Sequence, residues 1–439
     1  MHRVMEEPSS STAALCAAEQ VTDLLAPSRV ARNLELHLAA ESGDLALIRS
    51  LLASSPSPVS SSSSETDEGG VDVWYEDPSS ANWSALHFAA EQGHVEVVRL
   101  LLRNGAIWNA VDANGFTAAQ VAWSMNHERC YREILEEGVR QTFLLNALRG
   151  AESGENEEEH EIGPSEAKRL KADGACDADR GSVVTSADGR HVTLKPVALD
   201  VANDTERYLC TPLRFVPDSL GQVRCLDADD NMVMAPWETD IMQLSASLLC
   251  SNQARNFSIL NVGFGLGIID TLIQTYKPAR HVIIEAHPDA IAYAHQLGFD
   301  KLAGVEIFQG RWEDYLIHAD PDSDDAIAKM TQLGSFDAVY FDTYSQDYAD
   351  LKTFFDALPN IMNGPDSRFS FFHGLGATNR FFYEVYTRIS ELDLKEIGLT
   401  TQWTTMQPKV TEQEWQGVKR KYWDLADYYC PLARFDVLD

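Results

Sequence analysis

From residue 257 to 374 the chain alternates short apolar runs, FSILNV, HVIIEA, VEIFQG, FDAVYFD and FSFFHG, with longer stretches of helical spacing. Runs of this length are too short for buried helices and read as strands covered on both faces. Strands that alternate with helices build a parallel sheet with helices on either side, because each parallel connection needs a crossover. The pattern predicts an α/β fold, with any ligand at the carboxyl ends of the strands.

The first strand runs straight into glycines. ILNVGFGLGIIDTL, residues 259 to 272, places Gly263, Gly265 and Gly267 on alternate positions and then continues as a helix. Glycines let backbone approach a ligand closely and let the next helix start against it. Glu285 ends the strand HVIIE, 22 residues after Gly263. A carboxylate there can accept hydrogen bonds from ribose hydroxyls, as in nicotinamide and S-adenosylmethionine sites alike. Nucleoside binding is expected, with the cofactor left open. LKEIGLTTQWTTM and YYCPLARFDVL then read as two strands joined by a polar segment. An antiparallel hairpin closing a mostly parallel, seven-stranded Rossmann-like sheet points to a class I methyltransferase fold rather than a simple dinucleotide-binding one.

The N-terminal third repeats itself. LELHLAAESGDLALIRSLLAS (34 to 54) aligns with SALHFAAEQGHVEVVRLLLRNGA (84 to 106) through L-H-x-A-A-E-x-G and a closing L-L. This resembles the ankyrin repeat, two short helices that stack on neighbours because neither buries its apolar face alone. NGFTAAQVAWSMNHERCYREILEEG (114 to 138) reads as a third, degraded copy. The expected organisation is a flexible N-terminus over 1–30 and an all-α ankyrin domain over 31–149 carrying a disordered serine-rich insert over 53–80. An acidic linker over 150–182 and the α/β domain over 183–439 follow. VVTSADGRHVTL, at the start of that domain, reads as a small hairpin turning at Asp188-Gly189.

Composition narrows the function classes. The 439 residues carry 35 basic and 67 acidic side chains, a formal net charge of -32. Such a charge repels nucleic acid and favours a basic partner. Seven scattered cysteines without a C-x-x-C pair suit a reducing compartment and argue against zinc, and no metal site is expected. With no apolar run of about 18 residues the expectation is a soluble, intracellular monomer without a membrane partner. KRLK, in the acidic linker, is a weak match to a nuclear signal and reads rather as a solvated basic spot; the expected location is cytoplasm and nucleus.

Two further acids stand at informative places: Asp342 ends the strand AVYFD, and Glu238, in APWETDIM, precedes the helix leading into the first core strand. Paired carboxylates suit a cation, and a guanidinium offers five donors in a planar fork that two carboxylates can clamp. It is a poor nucleophile with a pKa above about 12, so methylating it requires alignment and a carboxylate to take the departing proton.

PWETDIM, VGFGLGI, IIEAH, GRWEDYL and YFDTYS occur in the order and spacing of guanidinoacetate N-methyltransferase. With ankyrin repeats in front, the chain resembles the fungal type IV protein arginine methyltransferases. The resemblance covers about residues 183 to 439. It implies S-adenosylmethionine as cofactor and, as substrate, the internal delta nitrogen of arginine in a large-subunit ribosomal protein. It further implies that Gly263, Phe264, Gly265, Leu266, Gly267, Ile268 and Ile269 form the methionine-side loop and that Glu285 holds the ribose. By the same resemblance Ala286, His287, Trp312 and Glu313 would lie beside the adenosine, and Met234 and Met242 would line the cofactor site, under Tyr208 as a lid. It likewise implies that Glu238 and Asp342 bind the guanidinium, with Asp342 also counted in the cofactor site. FFHGLGATN departs from the small-molecule enzyme, which favours a polypeptide arginine. The competing readings are a small-molecule guanidine methyltransferase, an inactive ankyrin adaptor and a nicotinamide oxidoreductase.

Overall fold

In a computed structural model, which describes residues 27–53, 70–155, 200–218, 221–318 and 320–436, the N-terminal repeats form stacked helical pairs. The pairs are α1 (Pro27–Ser42) with α2 (Leu45–Ala53), α3 (Ala85–Glu91) with α4 (Val95–Arg103), and α5 (Ala118–Ser124) with α6 (Glu128–Glu155). The alanines of the repeated motif explain the stacking. Ala39, Ala40, Ala89, Ala90, Ala118, Ala119 and Ala122 are all buried, so α1 packs closely on α3 and α3 on α5. The motif histidine ties each repeat to the next. His87 Nδ1 accepts the Ser84 N–H (3.2 Å), which leaves Nε2 to donate to the Phe116 carbonyl (3.3 Å). His37 Nε2 reaches the Tyr75 carbonyl in the same way (3.1 Å). Burial lowers the pKa of both rings, consistent with neutral donors.

Several predicted boundaries move. The serine-rich insert is ordered from Gly70 on, where Val71 is buried and Asp77 accepts hydrogen bonds from Ser79 and Ser80. The structure therefore corrects the expectation of disorder for 70–80; 54–69 lie outside the described residues. α1 already begins at Pro27, within the expected flexible terminus, and α6 runs to Glu155, past the expected start of the linker. The hairpin at Asp188-Gly189 and the KRLK stretch lie outside the described residues. The chain divides into compact units Met1–Leu145 and Asn146–Asp439.

In the second unit the predicted sheet forms from β4 (Ser258–Val262), β5 (Arg280–Glu285), β6 (Val305–Gln309), β7 (Ala338–Phe341), β8 (Arg368–Phe371), β9 (Leu399–Met406) and β10 (Tyr428–Phe435). Their order is β6-β5-β4-β7-β8-β10-β9. The first five are parallel, and β10 lies antiparallel between β8 and β9, as the class I methyltransferase fold requires. Helices α8 (Thr239–Cys250), α9 (Ile268–Thr275), α10 (Pro288–Leu297), α11 (Glu313–Leu316), α12 (Asp324–Leu333), α13 (Tyr348–Ile361) and α14 (Arg380–Glu396) connect the strands. α14 includes Leu394 to Glu396, which the sequence pattern places in a strand. Ahead of the sheet stand a short helix, α7 (Thr205–Cys210), and a small antiparallel sheet of β1 (Arg214–Pro217), β2 (Val223–Leu226) and β3 (Met232–Met234). No helix among the described residues is long and apolar enough to cross a membrane.

Register sets the site. Val262 pairs with Ile284 on one side and with Phe341 on the other. The next residues, Gly263, Glu285 and Asp342, therefore stand at one level on the carboxyl edge, where β4 parts the strands that follow it to either side.

Candidate active site

A cavity of about 360 Å³ opens at that edge. Its floor depends on Gly263, whose φ is +92°. A Cβ there would stand 1.8 Å from the Asp342 carbonyl oxygen, so only glycine lets β4 and β7 end this close together. A Cβ on Gly265 would come 2.8 Å from Met234 Sδ, and the same sulfur accepts the Leu266 N–H (3.2 Å). Asn261 holds the loop from below, its amide donating to the Gly263 carbonyl and to Asp270 Oδ1 in α9, both at 2.8 Å.

Glu285 is buried. Its Oε2 accepts the Phe264 N–H (2.6 Å) and its Oε1 the His287 N–H (2.7 Å). Burial raises its pKa, while these backbone donors favour the charged form. A carboxylate has about four lone-pair positions. Those left over suit two neighbouring hydroxyls, the pattern a ribose presents. His287 acts through its ring on α7. Nδ1 accepts the Asp289 N–H (3.1 Å), so Nε2 donates to the carbonyls of Tyr208 (3.1 Å) and Thr211 (2.9 Å) and fastens that helix over the site. Tyr208, on the same helix, is buried between the rings of His287 and Tyr344 at 4.8 and 5.0 Å.

Beyond β6, Trp312 and Glu313 form another wall of the cavity. Gln346 organises it, accepting from Trp312 Nε1 (3.1 Å) and Thr343 Oγ1 (2.6 Å) while its amide donates to Glu313 Oε1 (2.8 Å). Arg311 adds a second bond to Glu313 Oε1 (3.0 Å). Glu313 Oε2 is left buried with no hydrogen-bond partner, an acceptor that suits an exocyclic amine.

Glu238 and Asp342 form the acidic part of the cavity. Glu238, only 3% exposed, accepts on Oε1 from the Ala235 N–H (3.1 Å) and the Tyr422 hydroxyl. Burial, then the nearby Asp342 charge, pushes its pKa up to about 8. Asp342 rises to about 7 through burial and the charges of Asp270 and Glu285, and its Oδ2 is buried without a partner. Two acids held this far above the usual carboxylate range need a cation to ionise together, and a guanidinium supplies the charge and the donors.

Of the residues expected in the site, Tyr208, Met234, Glu238, Gly263, Gly265, Glu285, Ala286, Trp312, Glu313 and Asp342 line this one cavity. Met242, Phe264, Leu266, Gly267, Ile268, Ile269 and His287 are not among its lining. Met242 and Ile269 lie in the core beneath the loop, and the Phe264 ring packs edge-on against Phe299 at 5.2 Å, so its backbone N–H alone serves the site. Sequence reasoning missed Tyr344, Gln346, Arg420 and Tyr422, which also line it. Among the described residues no group of three or more His, Cys, Asp or Glu side chains is placed to hold a metal ion.

Comparison with known proteins agrees with both halves of this architecture. Residues 36–143 match ankyrin repeats in three copies, and residues 224–360 match the family guanidinoacetate N-methyltransferase. The chain is 35% identical over 387 residues to Protein arginine N-methyltransferase 2 of Cryptococcus neoformans var. neoformans, an alignment spanning 84% of this chain and 90% of that one. It is 34% identical over 386 residues to the protein of that name from Aspergillus fumigatus, spanning 84% and 83% of the two chains. For the Aspergillus oryzae protein of that name the figures are 33% over 415 residues, 91% and 96%. Likeness of this extent, through repeats and sheet alike, shows that the chain belongs to the fungal protein arginine N-methyltransferase 2 family.

Proposed function

We propose that this enzyme transfers the methyl group of S-adenosylmethionine to the internal, delta nitrogen of an arginine in a ribosomal protein of the large subunit. The observation that carries the reading is the pairing of buried Glu238 with Asp342, half-buried but with its Oδ2 buried, both short of charge compensation and both opening on the cavity that Glu285 shares. Glu285 would hold the ribose, Glu313 Oε2 the adenine amino group, and the Gly263 to Gly265 backbone with Met234 the methionine end. When bound, the cofactor supplies an electrophilic methyl on a sulfonium. The chain's own part is to bind, align and deprotonate. Glu238 and Asp342 ionise as the guanidinium enters, fix its plane by paired hydrogen bonds and receive the proton that the attacking nitrogen loses. Tyr422 holds Glu238 in position through its hydroxyl. The choice of the delta nitrogen and of a ribosomal protein rests on the family resemblance, and the chain's charge of -32 supports a basic protein substrate.

Labelled methyl transfer to a purified large-subunit protein fraction tests the mechanism: it should vanish in the Glu238→Gln, Asp342→Asn double variant. Persistence would sink the role of the acids. Free guanidinoacetate should be a poor acceptor beside that fraction, and efficient turnover of it would favour a small-molecule enzyme. We further propose that the enzyme acts as a monomer in cytoplasm and nucleus, which gel filtration and a fluorescent fusion check.

A further inference from the structure

The cavity is lined by five acids, Glu238, Glu285, Glu313, Asp342 and Asp347, and by two cations. One cation is committed: Arg311 bonds Glu206 (2.7 Å) and Glu313 (3.0 Å). The other, Arg420, is exposed and forms no ion pair with any described residue, although the lysines on either side of it do. Lys419 reaches Asp200 at 2.8 Å, and Lys421 reaches Glu412 at 2.6 Å. An uncommitted positive charge beside this cavity repels an incoming guanidinium, and in a chain so rich in acids it would be readily paired if pairing were its role.

Position says what it can meet. Arg420 stands two residues before Tyr422, whose hydroxyl bonds Glu238. Two residues of chain span at most about 7 Å. A substrate arginine whose guanidinium rests on Glu238 and Asp342 has its own backbone a similar distance outward, because its side chain is of that length. The substrate backbone and its nearest side chains then pass within reach of Arg420. We infer that Arg420 is a specificity-determining residue that reads a carboxylate on the substrate, namely an acidic side chain next to the target arginine. The planar guanidinium of Arg420 matches a carboxylate with two parallel hydrogen bonds. The site thus takes a zwitterionic segment, its cation buried on the acid pair and its anion held at the surface by Arg420. This inference rests on the arginine methyltransferase reading and adds a substrate class to it. The same chemistry has a second source, the carboxylate of a free guanidino acid, and the experiment separates the two.

The test uses the full chain, S-adenosylmethionine and three peptides alike except for a Glu, Gln or Lys beside a single arginine, with a free guanidino acid as a fourth acceptor. At low salt the wild type should favour the Glu over the Gln peptide about fivefold in kcat/KM, mostly through KM, as befits an exposed charge pair. Arg420→Ala should erase that preference, and Arg420→Glu should turn it toward the Lys peptide. Both variants should bind S-adenosylhomocysteine as the wild type does by calorimetry, which a general loss of structure would not allow. Equal use of the Glu and Gln peptides by the wild type, or a preference that survives Arg420→Ala, overturns the inference while leaving arginine methylation intact. A free guanidino acid used well by the wild type and poorly by Arg420→Ala, with the peptides unaffected, overturns it in favour of a small substrate. Transfer to no peptide at all, with cofactor binding intact, refutes the underlying reading itself.

Discussion

Replacing Glu238 by Gln should make the protein more stable as it abolishes activity, by an amount that grows with pH. Gln keeps the shape and an oxygen able to accept from the Ala235 N–H and the Tyr422 hydroxyl, the two bonds Glu238 makes. What it removes is the buried charge. The Glu238 pKa in the folded chain is about 8 against an ordinary 4.5. A folded pKa above the unfolded one means that stability from the protonated group is fully present below about 4.5 and is lost as pH rises through about 8. Within that window each pH unit costs the wild type roughly 1.4 kcal/mol relative to Gln. Between pH 5 and pH 7 the advantage of the variant should therefore grow by about 3 kcal/mol, or roughly 5 °C in Tm for a domain of this size. Fluorescence-detected melting suits the measurement, because Trp237, Trp415, Trp423 and Tyr422 cluster beside Glu238. A difference that stays flat between those pH values, or a variant less stable than the wild type at pH 8, would refute the reasoning.

The same shifts govern catalysis: with both acids needed as anions, kcat/KM for the arginine substrate should rise with pH through about 7 to 8 and then level off, and a profile flat from pH 6 to pH 9 would count against it. Tyr422→Phe removes the bond that lowers the Glu238 pKa, so it should move that rise to higher pH with S-adenosylhomocysteine affinity unchanged in calorimetry. Gly263→Ala puts a methyl 1.8 Å from the Asp342 carbonyl, and it should lower Tm by several degrees and eliminate cofactor binding, unlike an Ala placed at Gly364, where nothing lies within 4 Å and the backbone is not left-handed. His287→Ala frees the carbonyls of Tyr208, in α7, and Thr211, just past its end, and should weaken S-adenosylhomocysteine binding about tenfold while leaving the Tm of the repeats unmoved.

The residues most legible in the sequence were those whose place follows from strand periodicity. Glu285 and Asp342 end apolar runs, and parallel pairing to β4 then brings both beside Gly263 without further information. The ankyrin motif was equally plain, because its alanines and histidines serve contacts that recur from repeat to repeat. β1 to β3 were not legible: strands of three or four residues are too short to display an alternation. Tyr422 and Arg420 lie in the long connection between β9 and β10, where no period marks which residues turn inward. Only the folded chain shows that Tyr422 meets Glu238, 184 residues away in sequence. The glycine loop reads in the sequence as a set of ligand contacts, and the structure divides its work. Backbone at Gly263 and Gly265 borders the cavity, while Phe264 and Ile269 turn their side chains into the core that supports it.

At the centre of the proposed mechanism is a substrate guanidinium bound by Glu238 and Asp342 and methylated on its internal nitrogen. The direct measurement is mass spectrometric fragmentation of arginine from a large-subunit protein fraction incubated with the enzyme and labelled S-adenosylmethionine. The wild type should give one labelled methyl on the delta nitrogen and the Glu238→Gln, Asp342→Asn double variant none. Label on a terminal nitrogen, or label undiminished in the double variant, would contradict the mechanism.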